Sequence, residues 1–225
     1  MSRAAVVFAG GDPSRHEDLT GLSPEALVIA ADSGAVHAVA LGWPVHLLVG
    51  DLDSVPPSLV EHLEAAGTEV RRHPRAKDHT DLALALTLAT EAGVSRVTVV
   101  GGHGGRLDHL LANILLLGSE HWAALDVDAR MGPSRVTIVR RHRELVGGPG
   151  DLVSLVALGG DVEGVTTSGL LFPLQDATLA AGTSQGVSNE MTGPRAAVTV
   201  RSGVLAAIQP GERGGLFGEA GGPSS

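Results

Sequence analysis

The stretch Arg96-Val97-Thr98-Val99-Val100-Gly101-Gly102-His103-Gly104-Gly105-Arg106-Leu107-Asp108-His109-Leu110-Leu111-Ala112-Asn113 runs from a β-branched apolar segment through a glycine-rich turn into a segment of helical period. That succession is one βα unit of a parallel sheet. Glycines ahead of a helix leave backbone N–H groups open to anionic oxygens, and the helix dipole favours negative charge there. The turn is not a Walker A loop, since no Gly-Lys-Ser/Thr follows, and its register does not fit the dinucleotide Gly-x-Gly-x-x-Gly pattern. In the helix, Leu107, Leu110, Leu111, Ile114 and Leu115 fall at i, i+3, i+4, i+7 and i+8, the spacing of a buried face, while Arg106, His109 and Asn113 share a different stripe.

Upstream the same alternation repeats. Residues 4–9 form an apolar run closed by Gly10-Gly11-Asp12-Pro13. Residues 27–31 lead into Asp32-Ser33-Gly34 and a short helix to Leu41, and residues 45–49 into Gly50-Asp51-Leu52-Asp53-Ser54. Pro56-Pro57 opens a helix over 58–66 that Gly67 ends. Residues 68–72 read as a fourth strand, and Lys77-Asp78-His79-Thr80-Asp81 opens an Ala/Leu helix that stops at Gly93. Five or six strands of a mostly parallel, Rossmann-like α/β domain are therefore expected over residues 1–132. From about Pro133 the helical period disappears. Short strands at 136–140, 152–158, 162–167, 196–201 and 204–208, punctuated by Gly and Pro, predict a small antiparallel β-sandwich over 133–210. The Gly/Ser/Pro-rich tail, 211–225, has too little apolar surface to offset its ordering entropy and is expected to be disordered.

Composition narrows the function. The 225 residues are 43% hydrophobic but only 2% aromatic, with no Tyr, so small aliphatic side chains must build the cores. A formal charge of −9 without any Lys/Arg block lacks the stripe that holds a nucleic-acid backbone, and an acidic protein that handles phosphates needs a metal between them. The absence of cysteine excludes disulfides and thiolate chemistry. No apolar run approaches the ~18 to 20 residues that span a bilayer, and the first strand is too short for a secretory signal, so a cytoplasmic protein without membrane or nucleic-acid partners is expected. The ten histidines show no metal-ligand spacing, and only His109, beside Asp108, stands out.

The unusual polar residues sit after the second to fifth strands, at the carboxyl edge where open α/β sheets bind ligands. Asp32, Asp51, Asp53, Asp78 and Asp81 would converge there, and such a crowd of like charges calls for a hard divalent cation. Mg2+ is held by a few carboxylates together with substrate phosphates, so the set predicts a nucleotide-bridged metal. Singly, each acid reads more readily as a helix cap or a solvated loop residue, and it is five at one edge that weaken that reading. Arg106 and Asp108 open the helix after the glycine turn, where Arg106 is placed to grip phosphate bidentately or to pair with Asp108. Lys77 is either a point charge for phosphates or a solvated surface residue. Ser168-Gly169-Leu170-Leu171-Phe172-Pro173-Leu174 and Gln185-Gly186-Val187-Ser188-Asn189-Glu190 are, by composition, β-turn segments.

Taken in order, Asp32-Ser33-Gly34-Ala35, Gly50-Asp51-Leu52-Asp53-Ser54, Lys77-Asp78-His79-Thr80-Asp81, Gly104-Gly105-Arg106-Leu107-Asp108-His109-Leu110-Leu111-Ala112-Asn113 and Gly186-Val187-Ser188-Asn189-Glu190 resemble thiamine pyrophosphokinases. The resemblance covers roughly residues 4 to 208. It implies a nucleotide domain followed by a β-sandwich, and a homodimer with active sites between subunits. It also implies transfer of the terminal diphosphate of ATP to the hydroxyl of thiamine with release of AMP. Asp51, Asp53 and Asp81 match residues that hold Mg2+ and ATP, with Asp32 and Asp78 beside them, and Arg106 and Asp108 match the diphosphate and thiamine-hydroxyl end. These five, Asp51, Asp53, Asp81, Arg106 and Asp108, form the implied catalytic set. Ser33, Gly50, Lys77, Thr80, Gly102, Gly104 and Gly105 complete the implied ATP site. Phe172 matches an aromatic position, often Trp or Tyr, that packs on a thiamine ring, with Ser188 and Asn189 lining the pocket and Asp108 and His109 at its reacting end. Ser33, Leu52 and His46 depart from a usual Gly, Phe and Asp, and none removes an implied metal ligand. Rival readings are diphosphate transfer to another alcohol such as a pterin, a non-catalytic nucleotide or thiamine sensor, and a structural sandwich adaptor.

Overall fold

In the computed structural model, which describes residues 3–23, 25–75 and 78–211, the apolar runs of the first half are central strands buried on both faces. Lys77 and the tail beyond residue 211, two subjects of sequence expectation, lie outside the described residues. Contacts divide the chain into two units, Met1–Ile138 and Val139–Ser225.

The first unit holds strands β1 (Ala4–Phe8), β2 (Leu27–Ala31), β3 (Leu47–Gly50), β4 (Glu69–Arg72), β5 (Arg96–Val100), β6 (Asp126–Met131) and β7 (Ser134–Val139). Its helices are α1 (Gly34–Ala40), α2 (Pro57–Ala65), α3 (Asp81–Glu91) and α4 (Leu107–Leu117). The strand order is β7-β6-β5-β1-β2-β3-β4, parallel except for β6 with β7. The contact boundary falls beyond Pro133 because β7, read from sequence as the first sandwich strand, pairs back onto β6, with Val136 opposite Ala129. The chain proceeds outward from β1 to β4 and returns on the other side of β1 as β5, so the carboxyl ends of β1 and β5 flank a topological switch point.

Val6, Phe8, Val28, Ala30 and Leu48 bury one face of the sheet with Ala35, Ala38, Val60 and Leu63 of α1 and α2. Helix α3 packs on β1, β2 and β3, with Leu86 and Ala89 fully buried. Phe8, itself fully buried, meets Trp43 edge to face at 5.8 Å between centroids, a rare aromatic contact in this chain.

Helix α4 corrects the sequence reading. Its leucine stripe is not buried: Leu107, Leu111 and Leu115 are 79%, 58% and 48% exposed, and Leu110 and Ile114 are only partly covered. Leu117 alone on this helix is a core residue. The period reveals a stripe but not what covers it, and here the unit's own sheet does not. Among the described residues no helix is long and apolar enough to cross a membrane.

The second unit is a small antiparallel sandwich of β8 (His142–Val146), β9 (Leu152–Ala157), β10 (Val162–Ser168), β11 (Ala177–Leu179), β12 (Asn189–Glu190), β13 (Arg195–Thr199) and β14 (Leu205–Gln209). One sheet runs β11-β10-β13-β8 and the other β12-β9-β14. Val153, Leu155, Leu205 and Ala207 of one meet Leu145, Val162, Val165 and Val198 of the other in a single core. Strand β8 escaped the sequence reading because it buries only Leu145, with His142, Arg143 and Glu144 before it and an exposed Val146 after it.

The aliphatic core around one aromatic pair makes Phe8 its largest single contributor. Phe8→Ala should lower the unfolding free energy by about 3–5 kcal/mol, and Phe8→Leu by less than about 1.5 kcal/mol, read from urea midpoints by tryptophan fluorescence.

Candidate active site

The carboxyl edge of the first sheet opens into a cleft of about 570 Å³. One wall is the glycine turn after β5. Gly101, Gly102, Gly104 and Gly105 all have positive φ, between 57° and 90°, a run only glycine tolerates without strain. Asp12 N–H donates to His103 O, and Gly102 N–H donates to Gly10 O, both at 2.8 Å, tying this turn to the loop after β1. Asn113 of α4 donates from Nδ2 to Gly102 O at 2.9 Å. The stripe Arg106, His109 and Asn113 faces the cleft as its spacing suggested.

The facing wall carries Asp32 and Asp81, and Asp51 and Asp53 cluster with Asp32 just outside the lining itself. Carboxylate oxygens of Asp32, Asp51 and Asp53 all lie within 4.8 Å of one another. Two of the residues that shape this corner hold left-handed backbone, Asp32 at φ 46° and Leu52 at φ 62°. Strain of this kind survives where surrounding structure imposes it, as at functional sites. Leu52 turns the chain between Asp51 and Asp53, whose N–H donates to Asp51 Oδ1 at 3.3 Å. Gly50, at φ 151°, sits beneath: a Cβ there would lie 3.0 Å from Asp81 Oδ1 and 3.2 Å from Asp32 Cβ, so the acids close over a position only glycine leaves open.

The helix-cap reading of these acids does not hold. The N-cap residues are Ser33, Pro56, Thr80 and Arg106, and of these Thr80 alone caps with its side chain. Burial lifts the Asp32 carboxyl above its ordinary value; hydrogen bonds from the Ser33 backbone and Ser54 oppose the shift, and the charges of Asp81 and Asp51 add to it. Asp32 Oδ1 is buried without a hydrogen-bond partner. An orphaned buried oxygen among clustered carboxylates is a donor set suited to a hard cation of the Mg2+ type. The expected trio was Asp51, Asp53 and Asp81. The closest grouping has Asp32 in the third place, with Asp81 adjoining it across Gly50.

Of the other expected site residues, Asp32, Ser33, Thr80, Asp81, Gly102, Gly104, Gly105, Arg106 and His109 line the cleft. Asp78 is exposed and is not part of the cleft wall. Asp108 turns back on Arg106, which donates from Nε at 3.1 Å and Nη2 at 2.6 Å. That hydrogen bond, with the His109 backbone and the Arg106 charge, holds Asp108 at about 2, far below 3.8, and raises Arg106 in turn. Asp12 and His103 also line the cleft and were not singled out from sequence. Position alone offered Asp12, which follows a strand end like the other acids.

In the second unit Phe172, Pro173, Leu174, Gln185, Gly186, Val187 and Asn189 surround a hollow of about 290 Å³. Ser188, expected beside them, is not on its wall; it adopts φ 57° and donates its N–H to Ser154 Oγ at 3.0 Å.

Comparison with known proteins follows the same two units. A family model described as thiamin pyrophosphokinase, catalytic domain, matches residues 21–126, and one described as thiamin pyrophosphokinase, vitamin B1 binding domain, matches residues 135–205. A thiamine pyrophosphokinase of Bacillus subtilis is 28% identical over 214 residues, spanning 90% of this chain and 96% of the relative. The crystal structure of thiamine pyrophosphokinase from Bacillus subtilis superposes with a TM-score of 0.79 at 26% identity, covering 92% of this chain and 98% of the other. A thiamin pyrophosphokinase family protein from Enterococcus faecalis gives 0.77 at 25% identity with the same coverages, 92% and 98%. Fold and site define a transferase of phosphate groups made from an α/β unit and a β-sandwich. Both units match models of one family, and the chain belongs to the thiamin pyrophosphokinase family, whose members are diphosphotransferases.

Because Asp32 is half-buried among like charges, its neutral replacement should relieve the metal-free protein. Asp32→Asn is expected to raise the melting temperature in EDTA by about 2–4 °C and to abolish the rise that Mg2+ gives the parent, both read by differential scanning fluorimetry.

Proposed function

We propose that the cleft of the first unit binds ATP with Mg2+, and that the protein transfers the terminal diphosphate to thiamine and releases AMP. The observation that carries the site assignment is the convergence of Asp32, Asp51 and Asp53 within 4.8 Å, opposite a glycine turn that opens onto Arg106. Asp32, Asp51 and Asp53 would hold Mg2+, which would supply charge neutralisation to phosphate oxygens.

The chain's own groups do the rest. Backbone N–H groups of the glycine turn and the start of α4 cradle phosphate oxygens, and Arg106 meets the charge that develops as the diphosphate moves. Asp108, kept ionised, fixes the Arg106 fork. With Asp108 so committed to Arg106, the other acid named for this role from the sequence, Asp81 on the cleft wall, orients the thiamine hydroxyl and takes its proton. The hydroxyl oxygen forms a bond to the β-phosphorus in line, the bond from that phosphorus to the α-phosphate oxygen breaks, and AMP departs with the electron pair. No protein nucleophile is involved, so positioning and electrostatics supply the rate. The hollow at Phe172 receives the thiamine rings, and the enzyme works in the cytoplasm.

Phosphorus NMR of the protein with Mg-ATP and thiamine should show AMP and thiamine diphosphate in equal amounts; ADP with thiamine monophosphate would overturn diphosphate transfer. Asp53→Asn should lower turnover by on the order of 10², and near-normal turnover would remove Asp53 from the site.

The family's dimer finds its support in α4. Its exposed stripe of Leu107, Leu111 and Leu115 lies on the helix whose other stripe lines the cleft, so a second copy seated there would border the active site. Leu111→Glu should convert a dimer to a monomer in sedimentation velocity, and an unchanged dimer would place the interface elsewhere.

A further inference from the structure

Phe172 is 58% exposed, so no core packing fixes its ring; its backbone is held instead. Residues 169–172 run beside 189–192 by backbone bonds, with Thr192 N–H to Gly169 O at 2.9 Å, Leu171 N–H to Glu190 O at 2.8 Å, and a bridge between Leu170 and Met191. At Phe172 a side chain takes over the ladder. Asn189 Oδ1 accepts the Phe172 N–H at 3.0 Å, and Asn189 Nδ2 donates to Phe172 O at 2.7 Å. Beyond Pro173, whose ring fixes its own φ, Leu174 N–H donates to Thr167 Oγ1 at 2.8 Å and Thr167 N–H to Leu174 O at 3.0 Å. Asn189 and Thr167 are 5% and 4% exposed.

Asn189 has little left to offer a ligand. Its Oδ1 also accepts the Glu190 N–H at 2.9 Å, which uses both lone pairs, and Nδ2 keeps a single N–H in a buried residue. We propose that Asn189 and Thr167 form a clasp that presets Phe172 as a stacking face for a flat, positively charged heteroaromatic substrate, so that Asn189 acts through Phe172 and does not touch that substrate. The inference rests on the reading that thiamine enters this hollow. With its backbone held before binding, Phe172 has only its side-chain torsions left to order on contact, and the face of its ring attracts a cationic ring.

The test is steady-state kinetics of the full chain with Mg-ATP, varying thiamine, for Phe172→Ala, Asn189→Ala, Thr167→Val and the Phe172→Ala/Asn189→Ala double variant. Asn189→Ala and Thr167→Val should each raise the thiamine KM by about tenfold, with kcat and the KM for ATP unchanged, and Asn189→Ala should add nothing once Phe172 is gone. Independent, multiplying effects of Asn189→Ala and Phe172→Ala would show direct contact with substrate and overturn the clasp. Thr167→Val keeps the side-chain shape, so a folded Thr167→Val protein with the parent thiamine KM would overturn it too, even if Asn189→Ala fails to fold. An unchanged thiamine KM in Phe172→Ala would instead sink the reading of the hollow itself.

Discussion

Crowding of like charge at the ends of β2 and β3 is the constraint from which the rest of the first unit follows. Carboxylates within 4.8 Å of one another repel, and burial makes the charged form of Asp32 dearer still. Compensation at this corner is partial: Asp53 accepts from Ser54 and meets the exposed Arg75 at 3.5 Å, and Asp32 is hydrogen-bonded by Ser33 and Ser54, yet Asp32 Oδ1 finds no partner. A fold that keeps such an arrangement carries a cost in its unliganded state, and binding of a cation with its anionic substrate removes that cost. The chain stores electrostatic strain in order to bind.

Backbone strain is stored in the same place. Asp32 and Leu52 in left-handed conformations, and Gly50 pressed beneath Asp81 and Asp32, aim the acids inward. Across the cleft the glycine turn presents N–H groups and a guanidinium. The two walls therefore have opposite character, and a bound polyanion with its cation is the species that satisfies both. In the proposed function, this pairing would let a protein of formal charge −9 handle phosphate without a basic patch.

Much of this was legible in the residues. The strand-end position of Asp32, Asp51, Asp53 and Asp81 follows from alternating βα segments, because strand period and turn chemistry are local properties. The burial of α4 was misread because leucine spacing specifies a face, while its cover depends on other parts of the fold or on another chain. The place of β7 was missed for a related reason: pairing partners are non-local, and Ser134–Val139 reads equally well as the start of a sandwich. Asn189 showed least of all. A turn asparagine in a polar segment gives no sign that both ends of its amide are committed to a backbone seventeen residues away.

The two units thus recognise by different physics, and this bears on how each affects turnover. In the proposed reaction, contacts around the acids, the glycine turn and Arg106 would strengthen as charge redistributes along the breaking phosphate bond, and so would act on the transition state. On the same proposal, stacking on the exposed Phe172 ring would sense the flat shape and fixed charge of the substrate, which do not change during reaction. It contributes equally before and at the transition state, and so belongs to KM. An aromatic content of 2% makes that division visible: Phe8 is spent in the core against Trp43, and Phe172 stands in the open where a core would have no use for it.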